Sequence, residues 1–367
     1  MQSFQNNKEQ LIQEGNTRIT LPRLDKISKD LPVFYNPLMK LNRDIAILLL
    51  QSIDKKQMQI ADPLAGSGVR TIRFLKELQK NKIKSISIND YSKVSVNNIK
   101  KNLKLNKIRA KIKVSNTEAS KFLLDSTGFD YVDIDPFGYP GPFLDAACKR
   151  IARDGIIAVT ATDTAALSGT FPSTCKRKYW ATPLKNDMMH ETGLRILARR
   201  VQLIGMSYEK ALLPIFSHAT EHYMRIYFRA QKSNEDIKKI YRQFGYLFFC
   251  PNCLARSTNS ATCNCATAKQ FAGELWLGQL WDKNLAAKMA KKNITVENQK
   301  FLNIIASEAK IDIPYIYDLH AIAKKHKLNL VKKENIMKKL KTASSTHISP
   351  TAIRTTAPLK EIVKAFR

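Results

Sequence analysis

Between residues 58 and 160, short apolar runs alternate with amphipathic segments of ten to fifteen residues, and this rhythm restricts the fold more than any other feature. MQIADPL (58–64), SISIN (85–89), 111–115, DYVDI (130–134) and IIAVT (156–160) read as strands. VRTIRFLKEL, 92–105 and 142–152 read as helices by their apolar period. Such alternation builds βαβ units and therefore a parallel sheet. Helix 191–203 then precedes two strands, 207–216 and 222–230, with no helix between them. That pair predicts an antiparallel hairpin at the sheet edge.

The flanks are different in kind. Residues 1–35 read as an extended lead-in with a few apolar anchors, and Asn42-Arg43-Asp44 opens an apolar helix. The stretch 161–190 interrupts the alternation. From about 232 the composition shifts toward cysteine and then lysine, so the expected domains are 1–231 and 232–367. No run approaches the roughly 20 apolar residues of a membrane span. The start, MQSFQNNKEQLIQEGN, is not a basic segment leading into an apolar one, so the expected location is the cytoplasm.

Charge narrows the partner. Sixty-one Lys+Arg against 31 Asp+Glu leave a net of +30, which points to a polyanion, with nucleic acid the natural candidate. A well-solvated lysine-rich surface is the plain alternative. Lys176, Arg177, Lys178, Tyr179 and Trp180 mix cations with aromatic rings, a pairing that suits phosphate contact and base stacking.

The strand ends carry the chemistry. Asp62-Pro-Leu-Ala-Gly66-Ser67-Gly68 lies between a strand and a helix, where glycines let a backbone approach a ligand. Thr71 stands where a dinucleotide fingerprint needs its third glycine, so that pattern fails. Asp90 ends the next strand, where an acid accepts ribose hydroxyls, and Glu118 follows the strand after that. Glycine loop, ribose acid and a third polar tip together fit S-adenosylmethionine. Asp135-Pro136-Phe137-Gly138 closes the fourth strand. A carboxylate there accepts a hydrogen bond from an exocyclic amine, the proline stiffens the turn, and the ring stacks on a base. Neither Cys148 nor Cys175 follows a proline, as a cytosine-C5 nucleophile would; both read as packing residues.

The remaining four cysteines, Cys250, Cys253, Cys263 and Cys265, fall within 16 positions. A cytosolic chain rarely uses disulfides, and four thiolates suit one structural Zn2+ with no open position. Reduced, unligated cysteines are the rival.

Several of these segments together resemble the tRNA guanine-26 N2-dimethyltransferase family in its compact archaeal form. They are VFYNPLMKLNRD (33–44), DPLAGSGVRTIRF (62–74), DIDPFGYP (133–140), CKRKYWATPLKNDMMHETGLRIL (175–197), HATEHYMRIYFRA (218–230), GELWLGQLWD (273–282) and THISPTAIRTTA (346–357). The resemblance implies a Rossmann-like class I methyltransferase sheet, mostly parallel, with a second, smaller zinc-containing α+β domain. It assigns Arg43 and Arg70, with Asp62, Gly66 and Gly68, to the cofactor neighbourhood. Asp90, Glu118 and Ala119 would take ribose and adenine, and Asp135 would hold the guanine amine beside Pro136, Phe137 and Gly138. Lys176, Arg177, Lys178, Tyr179 and Arg354 would meet tRNA. Two positions depart from the pattern: Glu118 stands where an aspartate is usual, and Ala352 replaces the glycine of a late G-I-R-T segment.

The sequence thus predicts an S-adenosylmethionine-dependent enzyme that methylates N2 of guanosine 26 in tRNA, with tRNA as partner, no membrane and no obligate protein partner. An amine methyltransferase acting on another RNA or DNA base, and a non-catalytic zinc-containing RNA-binding protein, are the alternatives.

Overall fold

The computed structural model describes residues 9–22, 31–110, 112–220, 222–260, 263–292 and 295–367. By packing, the chain divides into two compact units, Met1–Val159 and Thr160–Arg367.

In the first unit a hairpin, β1 (Glu9–Glu14) and β2 (Thr17–Pro22), precedes α1 (Lys40–Ser52). Then follow β3 (Met58–Asp62), α2 (Val69–Glu77), β4 (Ile83–Asn89), α3 (Lys93–Leu105), β5 (Ile112–Ser115), α4 (Ala119–Leu124), β6 (Phe129–Ile134), α5 (Gly141–Arg150) and β7 (Ile151–Ala161). Strand β3 pairs in parallel with β4 and with β6, β4 with β5, and β6 with β7. The chain therefore leaves β3 in one direction for β4 and in the other for β6, and such a reversal opens a crevice at the strand ends. Ile60, Ile88, Val132, Ile134 and Ile157 are buried, as strands covered on both faces must be.

Residues 9–22 of the lead-in form a hairpin where the sequence suggests only an extended chain. Gly15 at φ 54° and Asn16 form a two-residue turn whose left-handed start suits a tight hairpin. Ile19 and Leu21 then pack with Val33, Val69 and Ile72. Glu14 pins the hairpin down by accepting from Tyr35 Oη at 2.9 Å, Arg43 Nε at 2.6 Å and Arg73 Nη1 at 2.9 Å. Burial pushes the Glu14 carboxyl up, but Arg43 and Arg73 outweigh it and hold it at about 2.

The second unit contains α6 (Thr164–Leu167), α7 (Pro172–Tyr179), α8 (Met189–Ser207), β8 (Ala211–Thr220), β9 (Tyr223–Gln231), α9 (Asn234–Tyr241), β10 (Phe244–Phe249), β11 (Arg256–Ser257) and β12 (Gln270–Trp276). It continues with α10 (Lys283–Ala290), α11 (Val296–Glu308), β13 (Tyr317–Asp318), α12 (Leu319–His326), α13 (Lys333–Lys339), β14 (Ala343–Ser345), β15 (Ala352–Thr355) and α14 (Leu359–Ala365). Strands β8 and β9 form the expected antiparallel hairpin. The strand order β5-β4-β3-β6-β7-β9-β8 makes a mixed sheet of seven, the class expected from the sequence. Two three-stranded sheets, β11-β10-β12 and β13-β15-β14, complete the second unit.

The sequence places a boundary at 231/232, where the large sheet ends, whereas packing divides the chain at 159/160. The reason lies in α8, which packs on β8, on β9 and on β12 and so ties the hairpin to later residues. The irregular stretch 161–190 holds α6 and α7, the latter starting on Pro172, a residue suited to a first helical position. No described helix is long and apolar enough to cross a membrane.

Candidate active site

The glycine turn between β3 and α2 depends on two left-handed residues, Gly66 (φ 54°) and Gly68 (φ 77°). A Cβ on Gly66 would lie 2.8 Å from the Phe34 carbonyl oxygen, so only glycine fits that close approach. The same carbonyl accepts from Ser67 N at 3.1 Å. Asp90, just beyond β4, fastens the turn from the other side: Oδ2 accepts from Gly66 N at 2.8 Å and Oδ1 from Ser92 N at 2.9 Å. Burial raises the Asp90 pKa, and those two N–H groups only partly offset it. The Ser95 side chain is a third donor to this carboxylate, and with two acceptor positions on each oxygen at least one position remains for a hydroxyl.

Glu118 caps α4, accepting from Lys121 N at 2.8 Å. Burial raises its pKa, but N–H donors of the capped turn, Ser120 and Lys121 among them, outweigh this and lower it. Its Oε2 thus caps the helix it starts, with buried Ala119 directly behind it.

The densest chemistry sits where β3 and β6 end. Asp62 and Asp133 are buried, and Asp135 follows two residues later. One guanidinium serves this group: Arg70 Nη2 donates to Asp135 Oδ2, while Nη1 lies 3.5 Å from Asp133 Oδ2 and donates to Asn42 Oδ1 at 2.9 Å. Tyr131 Oη donates to Asp133 at 2.7 Å and Thr71 Oγ1 to Asp62 at 2.7 Å. Burial, then the charge of Asp133, pushes the Asp62 carboxyl up to about 7, with Arg70 opposing. Perturbed acids of this kind gather where chemistry is done, though they also occur in purely structural networks.

Phe137 stands 52% exposed, edge-on to Phe34 with ring centroids 4.2 Å apart. Gly138 is left-handed (φ 79°), and a Cβ built on it would meet nothing within 4 Å, so the DPFG turn faces open space. The sequence singles out Phe137; Phe34 is missed, because nothing in the spacing of the lead-in foretells that its ring meets the DPFG turn.

Arg43 gives its guanidinium to Glu14 and to the Asn36 carbonyl (3.1 Å), so it shapes the segment carrying Phe34. Arg354 requires a correction. It is 0% exposed, and Nη2 donates to Glu191 Oε2 at 2.6 Å and to Glu308 Oε1 at 3.0 Å. A guanidinium so enclosed cannot reach a phosphate. Tyr179 is likewise buried with its hydroxyl on Asp163, and Lys178 Nζ lies 3.4 Å from the same carboxylate. Lys176 and Arg177 are exposed.

The four sulfur atoms of Cys250, Cys253, Cys263 and Cys265 lie within 4.8 Å of one another. A tetrahedral zinc with bonds of about 2.3 Å needs sulfurs roughly 3.8 Å apart, which this cluster can supply. The first pair sits in a tight turn, with Leu254 N bonded to Cys250 O and Cys250 N to Ala255 O, both at 2.9 Å.

A family model described as N2,N2-dimethylguanosine tRNA methyltransferase matches residues 10–367. The tRNA (guanine(26)-N(2))-dimethyltransferase of Methanobrevibacter smithii is 39% identical, across 98% of this chain and 97% of its own. The tRNA (guanine(26)-N(2)/guanine(27)-N(2))-dimethyltransferase of Aquifex aeolicus is 37% identical, across 97% and 95%. Among solved structures, Trm1 from Pyrococcus horikoshii in complex with S-adenosyl-L-methionine superposes with a TM-score of 0.86 at 31% identity, covering 97% of this chain and 99% of that one.

Proposed function

The chain belongs to the N2,N2-dimethylguanosine tRNA methyltransferase family, and from that premise we propose how its own residues do the work. It is an S-adenosylmethionine-dependent enzyme that methylates N2 of guanosine 26 in tRNA. When bound, S-adenosylmethionine supplies a methyl group activated on a sulfonium. The residues present fit it: the Gly66 turn is too close to Phe34 O for a side chain, and Asp90 keeps acceptor capacity at the end of β4. Arg43, Asp62, Gly68 and Arg70 build this neighbourhood, Asp90 takes the ribose, and Glu118 with Ala119 takes the adenine edge.

The observation that carries the acceptor side is the Arg70–Asp135 pair beside an open aromatic turn. Arg70 holds Asp135 Oδ2, leaving Oδ1 directed to the amine. The base swings out of its stack into the space at Gly138. Phe137 and Phe34 hold its plane, while Pro136 stiffens the turn. A guanine amine is a poor nucleophile because its lone pair is delocalised. By accepting from N2–H, Asp135 orients that lone pair and meets the positive charge that develops on nitrogen. Catalysis is assigned to residues 1–231. The zinc-containing residues 232–367 and the exposed Lys176 and Arg177 are assigned to tRNA.

Incubation of unmodified tRNA with labelled S-adenosylmethionine, followed by mapping of the nucleoside, tests the substrate and counts the methyls. Methylation only at another base would give the neighbouring amine-methyltransferase reading instead. Asp135→Ala is expected to lower kcat by about 10²–10⁴-fold while cofactor and tRNA still bind. Near-normal turnover would remove Asp135 from the mechanism. We further propose one structural zinc on the four cysteines. Less than about 0.3 zinc per chain in protein purified without chelator would exclude it.

A further inference from the structure

The small sheet β11-β10-β12 has one packed and one open face. Alternation along β10 buries Leu247 and Phe249 and turns Tyr246 and Phe248 the other way. On β12, Phe271 lies directly opposite Phe248 in the ladder. The three rings form one cluster: Tyr246–Phe271 centroids are 5.8 Å apart, Tyr246–Phe248 6.3 Å and Phe248–Phe271 6.3 Å. Tyr246 and Phe271 are each 43% exposed. Opposite Tyr246 stands Gly273, whose missing side chain leaves room for the tyrosine ring: a Cβ there would come within 2.9 Å of it.

The cluster continues into a cationic aromatic site. Gly273 exchanges both backbone hydrogen bonds with Thr182. Two residues earlier Trp180 is 59% exposed, with the Arg200 guanidinium 3.7 Å over its ring. Arg199 links the two parts, donating to the Trp180 carbonyl at 3.4 Å and to Glu274 of β12. Lys176 and Arg177 lie at the end of the helix that Trp180 terminates. Large rings left in water beside the exposed cations Lys176 and Arg177 are an unusual combination: apolar partners would favour the rings alone, and a bare phosphate the cations alone. Nucleotides with exposed base faces need both.

We infer that Trp180, Tyr246, Phe248 and Phe271 form a stacking surface for unstacked nucleotides of the tRNA substrate, with Lys176 and Arg177 at the end of α7 meeting their phosphates. The inference rests on the tRNA-methyltransferase reading and goes beyond it, because the surface carries none of the DPFG chemistry. A base stacked on an aromatic ring contributes about 1–3 kcal/mol, so each useful ring is worth roughly 5- to 150-fold in affinity.

The test uses full-length, zinc-loaded protein with Trp180→Ala, Tyr246→Ala and Phe271→Ala, and Tyr246→Phe as the conservative variant. Binding of unmodified tRNA and of a short single-stranded RNA is read by fluorescence anisotropy, and methylation by steady-state kinetics. The alanine variants are expected to raise KM for tRNA about fivefold or more and to weaken the single-stranded RNA equally, with kcat at saturating tRNA kept. Tyr246→Phe should bind as wild type. Unchanged affinities in variants that melt as wild type would overturn the inference, as would a dimer in wild type that the variants dissolve, since a second copy would then cover the face. Failure of the wild-type protein to methylate any tRNA would instead strike the underlying reading.

Discussion

Two buried charge clusters, one in each unit, obey the same electrostatics and reach opposite ends. In the second unit Glu308 accepts from Thr346 Oγ1 at 2.6 Å, His347 Nδ1 at 2.6 Å and Arg354 Nε at 3.1 Å. Glu191 accepts from Arg195 Nε at 2.8 Å and from Arg354. Arg195 spends a further nitrogen on the carbonyls of Trp276 and Gly278. Two carboxylates thus face two guanidiniums. Burial pushes Glu308 up, yet His347 and Arg354 outweigh it and hold it at about 2. At the strand ends of the first unit, Asp62, Asp133 and Asp135 share Arg70, and Asp62 is pushed up to about 7. Where charges balance, the cluster is a lock. Where acids outnumber the base, a proton near neutrality is retained.

The largest expected effect breaks the lock. Arg354→Ala leaves Glu191 and Glu308 buried without their shared partner, and should cost about 3–5 kcal/mol in urea unfolding. A loss below about 1 kcal/mol would mean the network is incidental. Arg70→Ala should do the reverse, lowering turnover roughly 10–100-fold through a misplaced Asp135 while costing less stability. The smaller stability cost follows because Asp62, already pushed up to about 7, can take a proton instead of standing as a bare charge. Equal stability losses in the two variants would erase the contrast.

The pH dependence sharpens it further. Asp62 titrates higher in the folded chain than its ordinary 3.8, so its contribution is complete below that value and is lost as pH rises toward about 7. Glu308 titrates lower than its ordinary 4.5, so its contribution is present above that value and is lost as pH falls toward about 2. Melting temperatures across pH should therefore flatten on the neutral side in Asp62→Asn and on the acid side in Glu308→Gln. The smallest effect concerns the surface. Lys176→Ala should change stability by less than about 0.5 kcal/mol and reduce the salt slope of tRNA binding by about 0.9.

What could be read from the residues and what could not follow from range. Strand ends such as Asp62, Asp90 and Asp135 were legible because a parallel strand, its turn and its helix are contiguous in sequence. The β1–β2 hairpin was missed although Gly15-Asn16 signals it, because its strands are short and amphipathic. The resemblance that puts Arg354 on tRNA says nothing of its burial, because the carboxylates that enclose it, Glu191 and Glu308, are 163 and 46 positions away. The stacking surface was half visible: Trp180 belonged to an evident basic–aromatic segment. The Phe248–Phe271 ladder pair, by contrast, depends on the register of strands joined by the cysteine loop.

By itself the sequence determined the parallel βαβ order, the glycine turn and the DPFG strand end, since each is a local choice of backbone conformation and side-chain period. It also determined the metal chemistry open to four clustered thiols. Tertiary structure decided the rest: which arginine neutralises which acid, that Asp62 is held near neutrality while Glu308 stays charged, and which aromatic rings remain in water. Those outcomes depend on desolvation and on partners brought from distant segments, and no local pattern records either.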